Sequence, residues 1–191
     1  YMDLSMLGAS LAIAALQTSE YFGTGNNPRK LGSAHPRNAP YQAFQTEDSY
    51  FGMAAGNNNL WASVCKVVEL PALETDERYL NPTLRAENQT ALKETLEAIF
   101  SKKPTSHWLQ VFSEAGVPCS PINNYADALS DPQVEHMGWV QDLTLANGFK
   151  TKTFGSPMRI NGETLKVNIR PPQLGEHTEE VLAQLGLGLN K

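Results

Sequence analysis

Cysteine is scarce, with only Cys65 and Cys119 in 191 residues. The pair fits neither a metal-ligand spacing nor a secreted disulfide framework, so a reducing cytoplasm is the expected compartment. Long apolar runs are missing too. The longest lies near Met6–Leu16, about half of the ~20 residues that span a bilayer. It follows Asp3 with no basic segment ahead of it and does not read as a signal peptide. No basic stripe interrupts a chain of net charge −5, which argues against nucleic acid and membrane surfaces as partners. The four histidines, His35, His107, His136 and His177, stand far apart without i, i+4 pairing, and no metal site is expected.

The most local absence concerns acids. Between Tyr21 and Thr46 there is no Asp or Glu, although Arg29, Lys30, His35 and Arg37 all fall there. The same stretch carries Gly23, Gly25, Pro28, Gly32, Pro36 and Pro40, a density of breakers that reads as a linker or binding loop. Its glycines match neither phosphate-binding spacing. A stiffened, purely cationic loop in an acidic protein suits a small anionic ligand, a carboxylate or a phosphate.

What is present supports one sizeable domain or two small ones, since 41% of the residues are apolar and can build a core. Residues 4–22 predict one helix with Leu4, Leu7, Leu11, Ala14 and Ala15 on a shared face. Asp3 then reads as a helix-start acid. The segment "YQAFQTEDSYFGMAAG" predicts a β-hairpin turning at Glu47–Ser49. A helix capped by Asn58 or Asn59 follows, reaching Leu70 with Leu60, Val64, Val67 and Val68 inward. Asn81–Pro82 opens another, running to about Lys102 on Leu84, Leu92, Leu96, Ile99 and Phe100.

A third helix runs from about Thr105 to Gly116, and "VPCSPI" reads as a short strand. Residues 124–137 are weakly helical, with Asp131–Pro132 as a start signal. A hairpin turns at Asn147–Gly148, and the last helix is expected to bury Val181, Leu182 and Leu185. His177 opens that helix and reads as capping or packing. Nothing around "GVPCSP" matches a nucleophile signature, so Cys119 reads as packing. The pattern is α/β.

The runs "YMDLSMLGASLA", "FGTGNNPRKLGSAHPRNAPYQAFQTEDSYFGMAAGNNNLW", "DERYLNPTLRAENQTAL", "AGVPCSPINNYADALSDPQ" and "PPQLGEHTEEVLAQLG" together resemble the class III CoA-transferases. The resemblance covers nearly the whole chain, in order. It implies the C-terminal portion of such an enzyme, lacking the N-terminal Rossmann-like half. Residues 1–40 would be a linker helix and loop, 41–122 a small α/β domain, and 123–191 a segment returning to the large domain. Asp3 matches a family position other than that of the nucleophile.

By this resemblance the catalytic residue is an aspartate upstream of the chain, and none lies within it. That aspartate attacks an acyl-CoA thioester, and covalent capture splits one hard step into easier ones. Coenzyme A is a substrate, no cofactor is tightly bound, and the intact enzyme is an interlocked homodimer. The loop at 32–41 would face the active site; in formyl-CoA transferase it is a run of glycines. Here "GSAHPRNAPY" is stiffer and more polar, which favours a bulkier or more anionic acyl group than formate or oxalate. His35, Arg37, Asn38 and Tyr41 are the substrate-binding candidates. Two alternatives remain: an acyl-CoA racemase or epimerase on the same scaffold, and a non-catalytic truncated assembly module. The chain alone is expected to be inert and to self-associate through its apolar first helix.

Overall fold

Two helices, rather than one, occupy the N-terminal stretch of the computed structural model: α1 (Met6–Ile13) and α2 (Ala15–Thr24). Ala14 interrupts them with ψ 22°. One turn earlier the Ser10 hydroxyl donates back to the Met6 carbonyl at 2.9 Å, a bond that bends helices. Ser5 caps α1 through the Gly8 N–H, which leaves Asp3 outside the first turn rather than in it. No side chain of either helix is buried. Leu7 is 71% exposed and Leu11 55%, so the apolar face predicted for residues 4–22 is uncovered.

The structure describes residues 1–187. They fall into two units, Tyr1–Ile122 and the part from Asn123 onward. In the first, β1 (Tyr41–Gln45) and β2 (Tyr50–Ala54) form the predicted hairpin, with Phe44 opposite Phe51. Period-two alternation puts Phe44, Phe51 and Met53 on the buried face. Four helices follow: α3 (Asn58–Val67), α4 (Ala72–Thr75), α5 (Pro82–Glu87) and α6 (Gln89–Phe100). Next come α7 (Thr105–Glu114) and β3 (Cys119–Pro121). β3 pairs antiparallel with β2, giving the order β1-β2-β3.

Asn57, one residue earlier than expected, caps α3 through the Leu60 N–H at 2.9 Å. Asn81 caps α5, and Gly116 adopts φ 70° after α7, as their positions predict. The helix expected over 82–102 breaks at Asn88, whose side chain donates to the Leu84 carbonyl. α7 has no capping side chain of its own. Asp48, from the hairpin turn, accepts from the Thr105 N–H and hydroxyl instead. Those hydrogen bonds hold its carboxyl below the usual carboxylate range and tie the turn to α7.

α6 packs on β1, and α7 on β2 and β3. The resulting core is aromatic. The Phe100 ring lies 5.0–5.7 Å from those of Phe44, Phe51, Trp108 and Phe112. Trp108 also donates its indole N–H to the Phe100 carbonyl.

The free edge of β1 is occupied by the chain itself. The Tyr41 carbonyl accepts from the His35 N–H. The Ala43 N–H donates to Ser33 Oγ, and the Gln45 N–H to Glu97 Oε1.

The second unit begins with α8 (Tyr125–Leu129) and α9 (Pro132–Met137), capped by Asn124 and Asp131. β4 (Val140–Thr144) and β5 (Lys150–Phe154) form the predicted hairpin, with Gly148 at φ 82° in its turn. A smaller ladder, β6 (Arg159–Ile160) with β7 (Glu163–Thr164), turns on Asn161–Gly162. Both turn residues have positive φ. The last helix, α10 (Thr178–Gln184), does not bury the residues expected of it. Val181 and Leu185 are exposed and Leu182 is half-buried, because among the described residues no apolar layer closes over them. No helix is long and apolar enough to cross a membrane among the described residues.

Candidate functional site

The cationic loop begins where Gly25 ends α2 in the left-handed region, φ 72°. It is compact, and His35 closes it. The His35 Nδ1 accepts from the backbone N–H groups of Arg37 and Asn38, both at 3.1 Å. Its ring stacks on Tyr41 with centroids 5.1 Å apart and planes 13° apart. The turn thus brings the His35 ring against Tyr41, the first residue of β1, and onto the backbone of Arg37 and Asn38, whose side chains lead elsewhere.

Arg37 is less free than the sequence suggests. Its guanidinium donates to Glu20 Oε2 at 3.0 Å, from α2, one residue before the acid-free stretch begins. Both side chains are well exposed, and such a pair contributes only about 0.2–1 kcal/mol. A ligand carboxylate can therefore displace Glu20 at small cost. Arg29 and Lys30 make no ion pair with described residues within bonding distance.

Asn38 sits against Gly56, where an added Cβ would stand 2.9 Å from the Asn38 Cβ. Only glycine permits that approach. After Asn38 the loop is fixed through its backbone. The Ala39–Pro40 peptide is cis, and Pro40 accepts from the Ala55 N–H. Arg85 holds Ala39.

Arg85 is a residue that the sequence reading passed over. It is fully buried, yet among the described residues no carboxylate meets it. Its guanidinium donates to the Ala39 carbonyl, the Tyr79 carbonyl and Asn58 Oδ1 at 2.9–3.0 Å, and lies over the Trp61 ring. One cation thus joins the loop to α3 and α5. A signal existed: Arg85 and Gln89 extend the Leu92–Leu96–Phe100 spacing one turn and more toward the N-terminus.

Two clefts flank the loop. One, of about 510 Å³, lies between α2 and residues 26–36, with Gln17, Glu20 and Arg29 on its walls. The other, of about 350 Å³, has Arg29, Lys30 and Lys93 around Gln42 and Gln89. Neither includes His35 or Arg37 in its lining. Tyr41 lines a third cleft, of about 380 Å³, with Ser33, Gly52 and Cys119, and His35, Arg37 and Asn38 line none of the three.

The thiols are unsuited to attack. Burial, reinforced by Glu74, pushes Cys65 up to about 12, with Arg85 opposing. Burial also raises Cys119. A nucleophilic cysteine needs the opposite shift. With a disulfide reagent at pH 8 we expect the folded chain to leave Cys65 unmodified and to release both thiols only in denaturant. Rapid labelling of Cys65 in the native state would contradict its burial. Among the described residues no three His, Cys, Asp or Glu side chains are grouped to hold a metal ion.

Residues 1–178 match the model of CoA-transferase family III. Over 97% of its length the chain is 33% identical to human succinyl-CoA:glutarate CoA-transferase, of which it covers 42%. It is 34% identical, over 85% of its length, to acetyl-CoA:oxalate CoA-transferase of Acetobacter aceti, covering 40% of that protein. A crystal structure of a CAIB/BAIF family protein from Brucella suis superposes with a TM-score of 0.70 at 31% identity, over 91% of this chain and 45% of that one. The chain thus spans less than half the length of the curated relatives it matches. A family match over nearly all of its residues, carried by a fold shared with a solved member, makes this chain a member of the class III CoA-transferase family.

Proposed function

We propose that this chain is the portion of a CoA-transferase that meets the acid end of the substrates, and that the enzyme moves CoA from an acyl-CoA thioester to a dicarboxylic acid. The observation that carries the reading is the loop. An exposed, easily displaced guanidinium is carried on a turn that the adjacent histidine ring closes through the Arg37 and Asn38 backbone N–H groups. Both relatives named above carry a dicarboxylic acid, glutarate or oxalate, in their names. The oxalate relative keeps short diacids in range, where the stiffness of the loop alone favours longer ones.

In the reaction, an aspartate supplied by another part of the enzyme attacks the thioester to give a mixed anhydride and free CoA thiolate. The thiolate then attacks the aspartyl carbonyl, expelling the donor acid as its carboxylate and leaving an aspartyl thioester. The incoming carboxylate attacks that thioester and expels CoA thiolate, which cleaves the new anhydride at its acyl carbonyl to give the new acyl-CoA and free aspartate. The contribution of this segment is to orient the acid, with the Arg37 fork pairing a carboxylate by two parallel hydrogen bonds. On this reading the 191 residues alone exchange no CoA. Two copies interlock in the complete enzyme, and the uncovered arm α1–α2 meets another polypeptide surface there. The two free thiols suit a cytoplasmic setting.

Glutarate titrated into the isotope-labelled chain should shift the backbone amides of His35, Arg37, Asn38, Ala39 and Tyr41. Arg37→Ala should weaken that binding about tenfold, the value of one hydrogen bond to a charged group. An unchanged titration in the variant would remove Arg37 from the site. Turnover of succinyl-CoA and glutarate by the chain alone would overturn the division of labour.

A further inference from the structure

His35 does more than sit beside the acid. We propose that it is a fixed hydrogen-bond donor to the substrate carboxylate or acyl oxygen, acting through Nε2–H and not as an acid or base; this rests on the loop being the substrate-binding element. The imidazole has two nitrogens and they are not equivalent here. Nδ1 accepts from the N–H groups of Arg37 and Asn38, which requires a lone pair on that atom and places the ring proton on Nε2.

Three contacts then immobilise the ring. Nδ1 is held from below by two backbone donors, one face lies against Tyr41, and the His35 N–H is bonded to the Tyr41 carbonyl. Nε2 has no hydrogen-bond partner among the described residues, and it is not among the buried unpaired polar atoms. The side chain is half-buried, so a single N–H is presented at the surface from a rigid ring.

That arrangement has a chemical consequence. A donor whose orientation is set before binding costs little to organise. It also discriminates, since it accepts an oxygen lone pair and rejects a group that itself donates. Arg37 supplies charge on the same turn, and His35 supplies direction. The two groups serve one ligand through separate oxygens.

The test uses the chain itself with glutarate as the probe. Nitrogen-detected NMR of the imidazoles should show His35 as the Nε2–H form before any ligand is added, and glutarate should shift its Nε2 resonance. Two variants separate the turn from the donor. In His35→Asn the side-chain oxygen can still accept from the backbone two residues on, so the fold and the Arg37 amide should persist while glutarate binding falls about tenfold. In His35→Ala both are lost.

A ring protonated on Nδ1 would overturn the inference whatever the ligand does. So would shifts confined to Arg37 and its neighbours with Nε2 unmoved, an outcome that leaves the binding loop standing. Silence from every loop resonance would sink the loop reading and this inference together.

Discussion

Arg85→Met lowers the stability of the first unit by about 3 kcal/mol or more, since up to three buried acceptors lose their donor at about 1–3 kcal/mol each. The cost does not come from the lost cation, whose desolvation is unfavourable in itself. It comes from what is left behind. The Ala39 carbonyl, the Tyr79 carbonyl and Asn58 Oδ1 lose their donor together, and a buried acceptor without a partner costs about 1–3 kcal/mol. Methionine fills much of the volume but donates nothing. Lysine should recover part of the loss, because a compact ammonium cannot reach three acceptors at once while lying over Trp61. Urea denaturation checks both. A Met variant within about 1 kcal/mol of the parent would mean that the three acceptors find other donors and that Arg85 does not hold the loop.

Phe100→Ala comes next, at about 3–5 kcal/mol. Phe100 is fully buried and meets four aromatic rings, Phe44, Phe51, Trp108 and Phe112, each edge-on. Truncation removes those pairs and opens a hole between sheet and helices that the four remaining rings cannot readily collapse into. Leucine, which keeps most of the volume, should cost clearly less. Thermal and urea unfolding read the difference. Equal losses for Ala and Leu would show that ring geometry, not volume, sets the energy of this core.

Where the structure followed local rules, it was legible from the residues. The β1–β2 alternation, the Asn81–Pro82 start, the Gly116 stop and the Asn147–Gly148 turn each depend on a few neighbouring residues. Asn161–Gly162 gives the same signal as Asn147–Gly148 and was overlooked only because the strands beside it are two residues long. Burial was the harder quantity. The apolar faces of α1–α2 and α10 predict cover, yet cover requires a second surface, and periodicity says nothing of where that surface comes from.

The cationic loop was legible in composition but its pairing was not. His35 stacks on Tyr41 and binds the Arg37 and Asn38 backbone N–H groups. Glu20 escaped notice because it lies one residue outside the acid-free window. Arg85 was hidden by its charge. A guanidinium at a core position of a helix is counted as a solvated side chain, although the four-residue step from Arg85 to Gln89 and the three-residue step to Leu92 mark it as facing inward.

The self-capped border of β1 bears on how copies of this polypeptide meet. A bare strand flank is a template on which foreign chains build ribbons and fibrils, but here Ser33, His35 and Glu97 have already taken its vacancies. The opposite border, β3, is three residues long and ends in Pro121, a poor foothold for another ribbon. Association through the first unit should therefore proceed by greasy helical shoulders and not by strand addition to this sheet.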